Sequence, residues 1–240
     1  MPEGYFVAHE LRVSDVAAGA AFYGDLFGWT AIATPTGRQL RADHTPLGGV
    51  SQVKDGVPPH WSSCVAVTDV PAAVGTATAH GATVTTPGGR PVRVPGQGWL
   101  APILDPARGF FLIAEPAAGV PAGTPGTFAR HRLHATDPSA AAAFYQAVLP
   151  WQVHGGTGEV THTFRLPGGA PVAEVVQADG PAQYWLPYVL VADLDAACAL
   201  AAELGAAVHD DRGAAPTGGG SCVIVDPQGA ELGLCAEPRR

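Results

Sequence analysis

Leu11 to Trp29 reads LRVSDVAAGAAFYGDLFGW, and Leu133 to Trp151 reads LHATDPSAAAAFYQAVLPW. Asp15 matches Asp137, Phe22 matches Phe144, Tyr23 matches Tyr145 and Trp29 matches Trp151, each at an offset of 122 residues. Further along, HWSSCVAVTDV matches YWLPYVLVADL, which pairs Trp61 with Trp185 and Asp69 with Asp193 at an offset of 124. ILDPARG, starting at Ile103, matches IVDPQG, starting at Ile224. Self-similarity at a fixed period marks a repeated architecture, so the 240 residues form two halves. EPAAGVPAGTPGT, Glu115 to Thr127, has the Pro, Gly and Ala content of a linker between them.

Each half divides again. A β-rich segment runs into an Asp, then an Ala-rich helix, then a stop. Asp15, Asp69, Asp137 and Asp193 stand where a carboxylate accepts from the free N–H groups of a first helical turn and complements the helix dipole. Pro138 fits a first helical position, where its missing N–H costs nothing. Gly28, Gly81 and Gly205 fall where a helix end calls for a left-handed residue, while Pro150 stops the third helix. RQLRAD, VSQVK, VTHTFRL and APVAEVVQ then read as strands. The unit is β-α-β-β-β, used four times. The expected boundaries are 1–118 for the first domain (modules 1–57 and 58–118), 119–127 for the linker, and 128–240 for the second (modules 128–180 and 181–240).

The FY-x-x-L-F-G-W helix end, the D-P-x-G turn before the last strand and the paired β-α-β-β-β units resemble the vicinal oxygen chelate superfamily. That group includes glyoxalase I, extradiol dioxygenases, fosfomycin-inactivating enzymes and bleomycin-sequestering proteins. The resemblance covers nearly the whole chain. It implies an α+β fold of tandem glyoxalase-like domains, each a pair of βαβββ modules forming one eight-stranded cup with helices outside. It leaves function open, because the superfamily ranges from metalloenzymes to plain binding proteins.

Metal-using members draw ligands from a module's first strand, seven residues before the capping Asp, and from its last strand, seven residues after the Asp of D-P-x-G. Here the first-strand positions are Ala8, Ser62, Arg130 and Leu186, and the last-strand ones are Leu112 and Gly233. None carries a metal-binding side chain of the family's pattern, so no metal and no other cofactor is expected. Strand parity checks this without the family. Successive side chains of a strand point to opposite faces. His9 shares a face with Leu11 and Val13, toward the helix, while Ala8, Glu10 and Arg12 face the cup. The neighbours His9 and Glu10 therefore cannot hold one ion together. His131 repeats His9, and both read as structural. A β-bulge slipping the register would return them to the cups.

The same parity gives Ala8, Glu10, Arg12, Ser62, Cys64, Phe110 and Leu112 to the first cup. Glu10 and Arg12 are either a self-satisfied ion pair or a polar anchor in an apolar pocket. The second cup collects Arg130, Arg132, His134, Tyr188 and Glu231, with Glu174 on a neighbouring strand. A His near carboxylates, a phenol and guanidiniums suits proton transfer at neutral pH, and paired Arg suit an anionic ligand group. A ring of solvated charges is the alternative. Trp29, Trp61, Trp151 and Trp185 read as core pillars, and the unmatched Trp99 as a stacking surface.

The bulk numbers close off other classes. Hydrophobic residues make up 47% and charged residues 14%, enough apolar content for sizeable cores. With 13 Lys+Arg against 21 Asp+Glu and a net charge of -8, nucleic acid and anionic membrane are not the expected partners. No apolar run reaches a membrane span, and MPEGYFVAHE lacks the order of a signal peptide. Cys64, Cys198, Cys222 and Cys235 form no C-x-x-C pair and read as free thiols of a reducing cytoplasm. No G-x-S-x-G, P-loop or H-E-x-x-H is present.

Three functional readings follow. The first is a metal-independent protein that binds an organic small molecule, with aromatic natural products among the candidates, through Glu10, Arg12, Cys64, Trp99, Phe110, Leu112 and Arg130, for sequestration or resistance. The second is a metal-independent acid–base enzyme of specialised metabolism, catalysing cyclisation, isomerisation or elimination through His134, Arg132, Tyr188 and Glu231. The third is a metal-dependent lyase or dioxygenase, which requires a slipped register. The expected state is monomer or homodimer.

Overall fold

The structure is a computed structural model, and it describes residues 3–35, 37–94, 98–115, 124–169, 171–210 and 220–236. Four helices begin at the four aspartates. Asp15 caps α1 (Val16–Phe27), accepting from the Ala17 and Ala18 amides at 2.9 Å. Asp69 caps α2 (Val70–Ala79), Asp137 caps α3 (Pro138–Val148) and Asp193 caps α4 (Leu194–Glu203) in the same way. Gly28 ends α1 in the left-handed region, at φ 73. Each such cap is worth about 1 kcal/mol, because it satisfies N–H groups that have no partner inside the helix.

The first half supplies β1 (Phe6–Val13), β2 (Thr30–Thr34), β3 (Gly37–Ala42), β4 (Thr45–Gln52), β5 (His60–Ala66), β6 (Thr83–Val84), β7 (Val92–Val94), β8 (Gly98–Leu104) and β9 (Phe110–Ala114). The second supplies β10 (Phe128–Ala135), β11 (Gln152–Gly155), β12 (Val160–Arg165), β13 (Pro171–Gln177), β14 (Tyr184–Leu190), β15 (Ala207–Asp210), β16 (Ser221–Val225) and β17 (Glu231–Cys235). They build two curled sheets with strand orders β2-β3-β4-β1-β5-β9-β8-β6 and β11-β12-β13-β10-β14-β17-β16-β15. The fold is the α+β arrangement anticipated from the repeats. One departure is β7, which pairs with β8 and brings the first sheet to nine strands.

By proximity the chain separates into two compact units. One contains Met1–Val7, Ser63–Gly119 and His131–Trp185, and the other Ala8–Ser62, Val120–Arg130 and Leu186–Arg240. Each has its own core. In the first unit Val70, Ile103, Phe111, Phe144, Tyr145 and Trp185 are buried together. In the second unit Leu11, Tyr23, Trp29, Trp61, Ile224 and Leu234 are buried together. Part of the linker, 116–123, lies outside the described residues. Its end is tied down, since the Gly126 amide donates to the Leu190 carbonyl at 2.7 Å and the Trp29 indole donates to the Gly126 carbonyl at 2.8 Å.

The repeated residues meet in two matching relays. In the second unit the Trp61 indole donates to the Tyr23 hydroxyl at 2.9 Å, and that hydroxyl donates to Asp226 at 3.0 Å. In the first unit Trp185 donates to Tyr145 at 2.8 Å, and Tyr145 donates to Asp105 at 2.6 Å. Asp105 also accepts from Gln183 and from the Ala107 and Gly109 amides. Asp226 accepts from the Gln228 and Ala230 amides. The D-P-x-G aspartate thus shapes its own turn with one oxygen and receives the tyrosine with the other. Burial pushes both phenols well above their usual range and pushes the Asp105 carboxyl up. The Trp expectation holds, since Trp29, Trp61, Trp151 and Trp185 are all buried.

Candidate functional site: the open faces of two curled sheets

Along β1 buried and half-buried residues alternate, with Val7, His9, Leu11 and Val13 on the buried side. β1 pairs with β4 in unbroken parallel register from His9↔Gly48 to Val13↔Gln52, so these residues carry no bulge and the parity reading stands. His9 is 2% exposed and stacks on Phe128 with ring centroids 3.6 Å apart and planes at 14°. Burial drags its pKa down to about 3, against an opposing backbone hydrogen bond at Leu47. His131 is buried and stacks on Phe6, also at 3.6 Å, with planes at 7°. Phe6 and Phe128 are themselves separated by the repeat offset, so one Phe–His stack occurs in each unit.

In the first unit, the face of the second sheet turned away from α3 carries an ion pair. Arg132 and Glu174 are register partners on β10 and β13. The Arg132 Nη2 donates to Glu174 Oε2 at 3.1 Å, with Nε at 3.3 Å, and the side chains are 2% and 13% exposed. Two residues along β10, His134 stacks on Tyr184 at 4.6 Å with planes at 4°. Tyr184 is 43% exposed. The arrangement is a charge-compensated guanidinium beside a flat aromatic pair open to solvent.

In the second unit, the Arg130 guanidinium lies 4.2 Å from the centroid of the Tyr188 ring, a cation–π contact. Tyr188 is fully buried and is the register partner of Gly233. Its ring covers that glycine so closely that a Cβ at 233 would sit 2.2 Å from the Tyr188 Cδ1. Glu231, two residues earlier on β17, is exposed.

The first sheet is divided in the same way. In the first unit Cys64 and Leu112 are buried register partners and Phe110 is half-buried. Trp99 packs, half-buried, against that unit's core, and its amide donates to Glu115 at 3.1 Å. It is therefore part of that unit's packing. In the second unit Glu10 and Arg12 lie on the face away from α1, and the Ser62 hydroxyl donates to the Glu10 carbonyl at 3.3 Å. Burial pushes the Glu10 carboxyl up, and the Arg12 charge partly opposes this.

Of the residues singled out in the sequence, Arg132, His134 and Glu174 thus fall together in the first unit. Arg130, Tyr188 and Glu231 belong to the second. Tyr184 went unnoticed, although it stands beside Trp185 as His60 stands beside Trp61. Gln39 and Ser51 also share the face of Glu10, as the β3–β4 and β1–β4 registers show.

The side chains do not fit a divalent metal at the positions where the resemblance would put one. Ala8 has no donor, Leu112 and Leu186 are buried and apolar, Arg130 is a cation and Gly233 lies under a phenol ring. Among the described residues no three His, Cys, Asp or Glu gather into a metal-holding group.

Paired βαβββ modules in two curled sheets define the architecture of the vicinal oxygen chelate superfamily. Within it, the chain belongs to the glyoxalase-like domain family, whose sequence profile matches residues 8–108 and 131–235. It is 28% identical over 246 residues to CFP32 of Mycobacterium tuberculosis, a candidate glyoxylase by name, covering 92% of this chain and 90% of that one. It is 28% identical over 253 residues to the anthracycline biosynthesis protein DnrV of Streptomyces peucetius, covering 92% and 89%. Among solved structures, the 2,3-dioxygenase LapB of Pseudomonas sp. KL28 superposes with a TM-score of 0.69 at 12% identity, covering 100% of this chain and 94% of that one. The Mn(II)-bound glyoxalase of Novosphingobium aromaticivorans gives 0.67 at 15% identity, covering 99% and 83%. At such identities the structural likeness speaks to fold.

Proposed function

We propose that this protein binds a planar organic molecule on the open face of its second sheet, without a metal, as a sequestering or carrier protein of the cytoplasm. The observation that carries this reading is the His134–Tyr184 stack beside the Arg132–Glu174 pair. Tyr184 offers an exposed ring, already held parallel to His134, to a flat ligand. Arg132 is neutralised internally, so an uncharged aromatic skeleton meets no isolated buried charge there. The relatives named for anthracycline biosynthesis support an aromatic ligand class.

A second reading is turnover, with His134 moving a proton and Arg132 steadying the charge that develops. It is favoured by the half-burial of His134 beside that pair. One experiment separates the two. The protein is titrated with a hydroxylated anthraquinone, followed by ligand fluorescence, and the ligand is recovered for mass spectrometry. Tyr184→Ala is expected to weaken binding about twofold to about tenfold, the worth of one aromatic contact. Unchanged affinity in that variant refutes the site. A recovered ligand of altered mass, or an isomer with a different chromatographic retention, moves the assignment to the enzyme reading.

A further inference from the structure

The third module closes a gap that the first module leaves open. Gln146 on α3 reaches the edge strand β11, where its Oε1 accepts from the Val153 amide at 3.2 Å. That amide donates away from the ladder with β12, in which Val153 faces Phe164. At the repeat offset of 122, Gly24 stands for Gln146 and Ala31 for Val153. Ala31 lies on the edge strand β2 and faces Leu40 as Val153 faces Phe164, so its N–H takes the same outward direction. Gly24 has no side chain to answer it.

Between α1 and the β2–β3 hairpin this leaves a cleft of about 400 Å³, lined by Ala20, Gly24, Asp25, Trp29, Ala31 and Arg38. Arg38 shares a face of β3 with Leu40, and its register partner on β4 is the core residue Val50. Its side chain therefore leaves the sheet on the side that α1 covers, opposite to the open face that carries Glu10. Arg38 is half-buried and Asp25 is exposed. Among the described residues no ion pair or side-chain hydrogen bond engages either charge. The third module has neither group, since Ala147 stands for Asp25 and His162, paired with Val175 as Arg38 is with Val50, stands for Arg38.

We propose that this cleft is a second ligand site, separate from the one at Tyr184, and that it takes a free amino acid. The ligand carboxylate stands where the third module holds the Gln146 carboxamide oxygen, accepting from the Ala31 N–H and from the Arg38 guanidinium. The ammonium turns to Asp25. The chain supplies the template, because the oxygen that a side chain provides in one module is provided by the ligand in the other. Charge selects the class. A dicarboxylate would meet Asp25 and a diamine would meet Arg38, whereas a zwitterion answers both. Ala20 and Trp29 give the cleft an apolar wall for an aliphatic side chain, and its volume is that of a small-molecule site.

The probe is L-leucine, followed by ligand-observed saturation-transfer NMR on the full chain. The controls are 4-methylpentanoate, which lacks the ammonium, and 3-methylbutylamine, which lacks the carboxylate. Leucine is expected to bind in the millimolar range, with about a tenfold loss for each control and for Arg38→Met. Arg38→Met keeps an unbranched apolar stem and breaks no side-chain hydrogen bond to a described residue, so the variant folds, and its thermal melt is recorded alongside. Gly24→Gln gives the first module the plug of the third and is expected to suppress binding. A Cβ at 24 would sit 3.1 Å from the Trp29 carbonyl oxygen, so Arg38→Met carries the test by itself if that variant folds poorly. Tyr184→Ala is expected to leave leucine binding unchanged, and a loss there would move leucine to the planar-ligand site and overturn the proposal. Absence of leucine binding at millimolar concentration, or equal binding by Arg38→Met or by either control, overturns it as well.

Discussion

Lowering the pH from 7.5 to 5 places a defined load on His9. Its folded-state pKa of about 3 lies below the ordinary 6.5, because the ring is buried and stacked on Phe128. A base whose pKa is depressed by folding takes up protons more readily in the unfolded chain. Stability is therefore intact above the unfolded pKa and is lost as pH falls below it. At pH 5 the unfolded imidazole is almost wholly protonated and the folded one is neutral, which costs about 2 kcal/mol. At pH 7.5 the same term is about 0.1 kcal/mol. The figure at pH 5 depends little on the folded value, provided that value lies well below 5. The assay is urea unfolding of the parent and of His9→Gln at both pH values. Other titrations cancel in the difference, so the parent should lose about 2 kcal/mol more than the variant, equivalent to roughly 4–8 °C in Tm for a chain of this size. Equal losses would refute the buried, neutral His9.

Four more outcomes follow from the packing. Tyr145→Phe removes the hydroxyl that joins Trp185 to Asp105, and should cost roughly 2–4 kcal/mol in thermal or chemical unfolding. Gly109→Ala should destabilise by a comparable amount, since its Cβ would fall 2.4 Å from Asp105 Oδ2 and 2.9 Å from the Gln183 side chain. Gly233→Ala should displace Tyr188 and separate it from Arg130, visible as a change in near-UV circular dichroism. Glu10→Gln should be at least as stable as the parent at pH 7.5. A carboxyl whose pKa is raised on folding lowers stability as pH rises past its unfolded value, so the advantage of the variant should vanish in acid.

Much of this was readable from the sequence because it rests on local rules. The four capping aspartates need only their own first helical turn, and the faces of β1 need only alternation and an unbroken register. The relays were out of reach although every member recurred visibly. Tyr23 and Asp226 are 203 residues apart, and nothing in either neighbourhood says that a first-half tyrosine meets a second-half aspartate. The face of Arg41 was hidden differently, since the register of β3 against β4 shifts between Leu40 and Arg41 and strict alternation cannot be carried across that hairpin. The packing of Trp99 against a core was also out of reach, because lack of a repeat partner is no measure of burial. Tyr184 looked like an ordinary strand opening until its parallel contact with His134 was in view.

The Trp–Tyr–Asp relays join a strand tryptophan, a helix tyrosine and a turn aspartate on the buried side of the sheets, apart from the faces offered to ligand. This separates what a duplicated gene must keep from what it is free to change. Both copies retain the lock residue for residue, down to the tryptophan. On the open faces one copy sets a carboxylate against glycine and the other a guanidinium against glutamate. Drift on one side of the sheet is insulated from the lock on the other, so a single ancestral module could diverge into two chemistries within one chain.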